Sequence, residues 1–185
     1  MRKIPTVFLR DPADQDRLLR EVHPACQWVL DGEGDALHKA DGTCMLLGAD
    51  RRWWARRQVK PGKTPPPEWQ EVDFDEVTGK RFGWEPVEQS GYAKMWREAL
   101  DTGDVPEAEY TPGTYELVAP RIANNPEGVD RPTLLKHEDL PVRPGAPRTY
   151  DGLRDWLATY PGEGVVFHHP DGRMAKIKRR DVMDA

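Results

Sequence analysis

A lysine, a carboxylate and a glycine lie close together at positions 39–43, where the sequence reads KADGT. In an extended segment Lys39 and Asp41 share one face, and Gly42 lets a backbone approach a ligand closely. A lysine attacks an electrophile only as a neutral amine, so a reactive Lys39 needs burial or neighbouring cations that lower its pKa. Taken alone, the motif favours a solvated turn, because such short patterns often arise by chance.

A second group of charged residues flanks a hairpin signal near the C-terminus. Positions 163–168 read EGVVFH, positions 176–181 read KIKRRD, and a Pro-Asp-Gly sequence lies between them. A turn centred on the Asp-Gly step predicts a β-hairpin. Its pairs would be Phe167 with Lys176 and Val165 with Lys178.

In that register the side chains of Glu163, Lys176 and Lys178 point to one side of the sheet. A carboxylate and two ammonium groups on one face are costly to bury without a ligand. A polyphosphate with its metal ion would account for them. The alternative is an exposed hairpin whose charges point outward and contribute little.

Two weaker signals come from the middle of the chain. Glu116 lies among apolar neighbours at positions 114–118, TYELV, either as an inward-facing ligand or on the solvent face of an edge strand. Positions 51–63, RRWWARRQVKPGK, contain six basic residues and no acid. Basic groups neutralise phosphates and tryptophans stack on bases, so Arg57 and Lys60 are candidates for RNA or phosphate contact. The alternative is a solvated strand with its aromatic side chains in the core.

The composition predicts one folded domain over residues 1–185. Hydrophobic residues make up 37% and charged residues 32%, as in ordinary globular proteins. The net charge of −5 means that nucleic-acid binding would depend on local basic patches. No segment resembles a membrane helix or a secretion signal, which makes the cytoplasm the default location. Cys26 and Cys44 form neither a disulfide framework nor a zinc pattern and are expected to be reduced.

The pattern of secondary structure predicts an α+β fold with antiparallel sheets. Strands are predicted at 6–10, 26–31, 36–39, 43–48, Trp53–Val59, 114–119, Gly164–His168 and Met174–Lys178. Helices are predicted at 92–100 and 150–160, the last with Leu153, Trp156 and Leu157 facing inward. Residues 11–22 are predicted to form a short helix or a capped turn. Loops are predicted at 60–70, 101–112 and 120–148.

The ordered series KADGT, YELV, EGVVFH and KIKRRD resembles the motifs of the covalent nucleotidyltransferases, which include ATP-dependent ligases and capping enzymes. In more detail, WVLDGEGDALHKADGT, TGKRFGWEPV, TYELVAPRIANNPEG and EGVVFHHPDGRMAKIKRRD resemble a family of 5′-phosphate/3′-hydroxyl RNA ligases with vertebrate, viral and bacterial members. The resemblance covers residues 3–181. It implies a nucleotidyltransferase (ATP-grasp-like) domain of antiparallel sheets flanked by helices, with no appended OB domain.

The resemblance also implies a role for each matching residue. Lys39 would be the nucleophile that becomes lysyl-AMP, with Gly42 beside the nucleotide. Asp41 and Glu163 would support the metal, Mg²⁺ or Mn²⁺, largely through water. Glu116 would contact the ribose of ATP, and Lys176 and Lys178 would contact the α-phosphate. The expected partners are ATP and RNA ends, with no membrane and no obligatory protein partner.

The chain departs from the family pattern at two places. His38 stands where a longer basic residue is expected, and Ala119-Pro120 stands where Gly-Pro is expected; neither change removes a reacting group. Three alternatives remain open at this stage. They are a capping-type guanylyltransferase, a DNA nick ligase of the same mechanism, and a non-catalytic nucleotide or RNA sensor on the same scaffold.

Overall fold

Antiparallel sheets and a few flanking helices make up the protein, which confirms the α+β prediction. A computed structural model describes residues 2–183. Its strands are β1 (Phe8–Arg10), β2 (Leu18–Val22), β3 (Asp35–Lys39), β4 (Thr43–Leu47), β5 (Trp53–Val59), β6 (Gln70–Asp75), β7 (Lys80–Pro86), β8 (Gly113–Val118), β9 (Thr133–Lys136), β10 (Gly164–His168) and β11 (Met174–Lys178). Its α-helices are α1 (Gln27–Leu30), α2 (Ala93–Thr102), α3 (Tyr150–Thr159) and α4 (Arg180–Met183). Short 3₁₀ helices lie at Pro24–Cys26, Val87–Gln89, Glu107–Glu109 and His137–Asp139.

The described residues cluster into two compact units. Unit I comprises residues 2–3 and Asp41–Asp139, and unit II comprises Ile4–Ala40 and residues 140–183. The prediction of a single domain over residues 1–185 stays a prediction. Across residues 2–183, each helix is too short or too polar to cross a membrane.

Unit I is built on a six-stranded sheet with the strand order β6-β7-β5-β4-β8-β9. Alternate residues of its central strands, among them Met45, Ala55 and Leu117, are buried on one face, as the period of a strand requires. Helix α2 contributes Trp96, Ala99 and Leu100 to the same core. The remaining alternate residues, including Cys44 and Glu116, lie on the opposite face.

Unit II contains a three-stranded sheet, β11-β10-β3, and the β1-β2 hairpin. Val165, Phe167 and Ile177 are fully buried on one face of the three-stranded sheet. Helix α3 packs Leu153 and Leu157 into the same core, as its sequence spacing predicts, and Trp156 is partly buried against it. Thr149 caps this helix by accepting a hydrogen bond from Gly152 N at 3.2 Å.

The structure corrects the sequence prediction in two segments. For residues 11–22 the helix alternative is wrong and the turn alternative applies to the first part, because Asp11 and Asp14 accept hydrogen bonds from backbone N–H groups two residues on and create turns. The chain then returns as strand β2, which pairs with β1. Residues 26–31 are not a strand. Pro24 starts a 3₁₀ helix that continues into α1, which places Trp28 and Val29 in the core.

Three strands occupy segments for which no strand was predicted. Strands β6 and β7 form a hairpin that closes where Thr78 and Val77 N–H groups bond the Asp75 carboxylate. Strand β9 lies inside the predicted loop 120–148 and extends the sheet beside β8. The bounds of β5, β10 and β11 agree with the sequence prediction.

Candidate active site around Lys39

Lys39, Gly164 and Lys178 form a row across three neighbouring strands of unit II. Gly164 of β10 is paired directly with Lys39 of β3 on one side and with Lys178 of β11 on the other. A Cβ atom at Gly164 would lie only 2.1 Å from the carbonyl oxygen of Ile177. Glycine is therefore required in the middle of the row, and the two lysines flank a position without a side chain.

The carboxylate of Glu163, the residue before β10, connects the two lysines. Oε2 accepts a hydrogen bond from Lys39 Nζ, and Oε1 accepts one from Lys178 Nζ. The three side chains are only 12–19% exposed. Burial acts to raise the pKa of Glu163, but the charges and hydrogen bonds of the two lysines outweigh it and lower that pKa. Glu163 is therefore ionised at neutral pH.

Lys176 is a third cation on the same face of the sheet. It pairs with Val166, two residues along from the row of Lys178. Burial, assisted by the charges of Lys178 and Lys39, lowers the pKa of Lys176 to about 8. Three lysines thus accompany one glutamate, and the surplus of positive charge suits an anionic ligand such as a phosphate chain.

The register of the β10-β11 hairpin differs from the sequence prediction by one residue. Val166, rather than Phe167, pairs with Lys176, and Gly164, rather than Val165, pairs with Lys178. The cause is a three-residue loop, closed by a hydrogen bond of 2.9 Å from His169 N to Arg173 O, where a two-residue turn was expected. The lysines therefore lie on the face opposite the buried Val165 and Phe167, and the predicted meeting of Glu163 with Lys178 occurs there.

Gly42 and Asp41 begin unit I and are held by two glutamates. Gly42 N donates a hydrogen bond of 3.0 Å to Glu116 Oε1, and Asp41 N donates one of 3.2 Å to Glu127 Oε1. A Cβ atom at Gly42 would lie 2.3 Å from Leu117 O. The glycine of the KADGT motif is therefore needed for close approach of the chain to β8.

His137, which the sequence did not single out, positions Glu116. His137 Nε2 lies 2.9 Å from Glu116 Oε2, and Nδ1 lies 2.9 Å from Thr114 Oγ1. Glu116 is only 8% exposed, so it does not lie on a solvent face, and its role as a ligand stays a prediction. No local pattern signals His137, because it is 21 residues from Glu116 and reaches it through the pairing of β9 with β8.

Two arginines of the basic stretch 51–63, Arg52 and Arg57, are engaged in ion pairs. Arg57 Nη1 donates to Glu85 Oε2 at 2.9 Å, and Glu85 is almost fully buried. Arg52 bonds Glu68 at 2.9 Å and its guanidinium lies over the ring of Trp54. Lys60 is exposed at the end of the strand. The roles of Arg57 and Lys60 in RNA contact stay predictions.

His38 lies on the core side of the three-stranded sheet, opposite in direction to Lys39. Its Nδ1 is 2.6 Å from the hydroxyl of Tyr160, which also accepts a hydrogen bond of 3.0 Å from Arg143 Nε. The tyrosine ring in turn stacks on Trp156. This arrangement gives His38 a structural role within unit II.

The sequence is similar to that of RNA ligase 1 from Danio rerio. The two chains are 21% identical over 261 aligned positions, which cover 98% of this chain and 80% of that protein. No protein-family model matches the sequence.

Proposed function

We propose that this protein is an ATP-dependent RNA ligase that carries AMP covalently on Lys39. The observation that supports the proposal most directly is the pairing of Lys39 and Lys178 with Glu163, beside a third lysine of lowered pKa. A nucleophilic amine that attacks a triphosphate needs neighbouring cations and a fixed position. The similarity to a protein named RNA ligase 1 supports RNA as the joined strand.

In the first step the neutral amine of Lys39 attacks the α-phosphorus of ATP. A nitrogen–phosphorus bond forms, the bond from phosphorus to the pyrophosphate oxygen breaks, and the nitrogen releases one of its protons to solvent. Lys176 and Lys178 stabilise the charge that builds up on the phosphate oxygens. Glu163 holds the amine of Lys39 until the substrate replaces that hydrogen bond.

Two further steps complete the joining reaction. AMP moves from Lys39 to the 5′-phosphate of an RNA end, which restores the lysine and creates a pyrophosphate linkage. The 3′-hydroxyl of a second end then attacks the RNA phosphate and AMP departs. In this scheme Glu116 contacts the ribose, with its carboxylate held by Gly42 and His137, and that role stays a prediction.

A divalent metal fits the donor groups that the resemblance assigns to it. The carboxylates of Glu163 and Asp41 are hard oxygen donors of the kind that Mg²⁺ and Mn²⁺ prefer. Both oxygens of Glu163 are already occupied by ammonium groups, which favours contact with the metal through water. The metal supplies charge neutralisation on the phosphates.

Covalent labelling provides the decisive experiment. Incubation with α-labelled ATP and Mg²⁺ is expected to add one adenylyl group to the protein, with the label on the peptide that contains Lys39. Lys39→Arg keeps the positive charge beside Glu163 but is not a nucleophile, so it should remain folded and unlabelled. Labelling of Lys39→Arg, or labelling of the native protein by GTP alone, would contradict the assignment.

A second experiment separates RNA ligation from the two remaining alternatives. Matched RNA and DNA nicks, each with a 5′-phosphate, are offered to the pre-adenylylated protein. We expect sealing of the RNA nick in preference to the DNA nick. Sealing of DNA alone would support the nick-ligase alternative, and ATP binding without any adduct would support a non-catalytic sensor.

A further inference from the structure

Cys44, Glu116 and His137 bring three different metal-ligating groups together in unit I. The thiol sulfur, one carboxylate oxygen and one imidazole nitrogen all lie within 4.8 Å of one another. Glu116 is buried, and the other two residues are partly buried. A mixed set of sulfur, nitrogen and oxygen donors at this separation is typical of zinc and related transition metals.

The topology of the six-stranded sheet makes this cluster. Cys44 of β4 and Glu116 of β8 are direct partners in the antiparallel register, so both side chains emerge on the same face. This face is opposite the one on which Met45 and Tyr115 are buried. His137 follows β9, the next strand, and points its imidazole at Glu116.

The imidazole of His137 is oriented as a metal ligand usually is. Thr114 Oγ1 lies 2.9 Å from Nδ1, which turns Nε2 toward Glu116. A ligating histidine normally has its second nitrogen hydrogen-bonded to a neighbouring group that fixes the ring. Because a hydroxyl both donates and accepts, Thr114 supports the tautomer that binds a metal through Nε2.

We propose that Cys44, Glu116 and His137 bind a thiolate-preferring divalent transition metal of the Zn²⁺ class. Neighbouring ligand atoms on tetrahedral Zn²⁺ are about 3.3–3.8 Å apart. The three donor atoms lie within 4.8 Å of one another, so small side-chain movements bring them to the ion. The thiol of Cys44 releases its proton on binding, and three protein ligands leave the fourth position for water. The sulfur ligand discriminates against Mg²⁺, which prefers oxygen.

Metal binding here also has a consequence that rests on the proposed function. The carboxylate of Glu116 cannot bind Zn²⁺ and contact the ribose of ATP at the same time. Zn²⁺ is therefore an inhibitor of Lys39 adenylylation, and Cys44→Ser is expected to weaken this inhibition at least about tenfold. In the absence of Zn²⁺, Cys44→Ser should be labelled like the native protein.

The metal site is tested directly with Co²⁺, whose bond to a thiolate gives a charge-transfer band in the near ultraviolet. Titration of the native protein, without ATP and with Mg²⁺ in excess, is expected to produce this band at one equivalent. Cys44→Ser should abolish it, and Thr114→Val should weaken Co²⁺ binding about 10–100-fold by releasing His137. Cys26→Ser, which alters the buried thiol of unit II, is the matched control and should keep the band. A charge-transfer band that persists in Cys44→Ser would overturn the proposal.

A measurement on the native protein avoids any effect of substitution on folding. Zn²⁺ is expected to slow alkylation of Cys44 by iodoacetamide, measured by peptide mass spectrometry, at least about tenfold. Cys26 is the internal reference, because burial raises its pKa to about 11 and keeps it unreactive with or without metal. An unchanged rate at Cys44, or no thiolate band with Co²⁺, refutes the site. Either result leaves ATP labelling of Lys39 unaffected, so the failure of this inference is distinct from failure of the ligase proposal.

Discussion

Lys39 donates a hydrogen bond from Nζ to Glu163 Oε2, although the two residues are 124 positions apart in the chain. The other oxygen of the same carboxylate accepts from Lys178, so Glu163 fixes amines from two different strands. A nucleophilic attack by Lys39 requires a neutral nitrogen whose lone pair faces phosphorus. In the proposed reaction the bond to Glu163 would therefore be exchanged for substrate contact, so Glu163 would hold the amine of Lys39 in position until ATP binds.

Gly164→Ala is expected to destabilise unit II and disrupt the row of lysines. The added methyl group would meet Ile177 O at 2.1 Å, and a clash with backbone in a paired strand cannot be relieved by rotating a side chain. We expect a loss of about 1–3 kcal/mol in the free energy of unfolding, together with loss of labelling by ATP. Thermal unfolding and adduct formation measure the two effects.

Gly145→Ala is the matched control for that substitution. Gly145 also belongs to unit II, and a Cβ atom there would meet nothing within 4 Å. Unfolding temperature and labelling should both stay at the native level. If Gly164→Ala behaves like Gly145→Ala, the close packing of β10 against β11 does not require glycine at position 164.

The sequence predicted which charged residues meet around Lys39, but not the strand register that brings them together. The bounds of β10 and β11 follow from short apolar runs that flank a turn signal, and Glu163 does meet Lys178. The register could not be predicted, because a three-residue loop and a two-residue turn are both compatible with Pro-Asp-Gly and differ by one position. That one position decides which side chains share the face with the lysines.

The environment of Glu116 was beyond sequence reasoning for a different reason. Its partners Gly42 and His137 are brought to it by pairing between strands. The strand that carries His137 into place lies in a segment whose prolines and glycines predicted only a loop. Likewise, Cys44 showed no metal pattern in the sequence, because its neighbours in the cluster come from strand β8 and from the 3₁₀ helix that follows β9.

The contribution of Glu163 to stability should depend on pH. Its pKa is lowered in the folded protein, so its stabilisation is fully present above the unfolded carboxyl pKa of about 4.3 and is lost as pH falls through the folded value. Glu163→Gln should therefore unfold more easily than the native protein at pH 6–7, and the difference should vanish in acid. Denaturant unfolding from pH 3 to 7 measures this.

Glu33→Gln serves as the control for the titration of Glu163. Glu33 is a half-exposed glutamate of unit II that pairs with His169. Exposed pairs contribute little, so this variant should follow the native protein throughout the pH range. A stability difference for Glu163→Gln that stays constant down to pH 3 would show that the loss is not electrostatic.

Lys176 should take up a proton when a polyphosphate binds. With a pKa of about 8, about half of its amines are neutral at pH 8, and a nearby phosphate raises the pKa and favours the charged form. Calorimetric titration with a non-hydrolysable ATP analogue, in two buffers of different ionisation enthalpy, gives the number of protons taken up. We expect up to about half a proton from this residue at pH 8 and none at pH 6.

Lys176→Met is expected to remove that proton uptake and to weaken binding. Lys94→Met, which alters an exposed lysine of unit I, should leave both quantities unchanged. If Lys176→Met takes up as many protons as the native protein, the lowered pKa of Lys176 plays no part in phosphate binding.

Arg57 and Lys60 should respond differently to removal, although both were candidates for RNA contact. Arg57 pairs with Glu85, whose side chain is only 5% exposed, so Arg57→Ala leaves a buried carboxylate without this partner and should cost about 1–3 kcal/mol of stability. Lys60→Ala should leave stability unchanged and reduce the salt dependence of RNA binding by about one unit of slope. Adding Glu85→Gln to Arg57→Ala should recover part of the lost stability, because the uncompensated charge is removed.

Denaturant unfolding and RNA binding between 50 and 200 mM salt separate the two roles. An unchanged salt slope in Lys60→Ala would dismiss that lysine as an RNA contact.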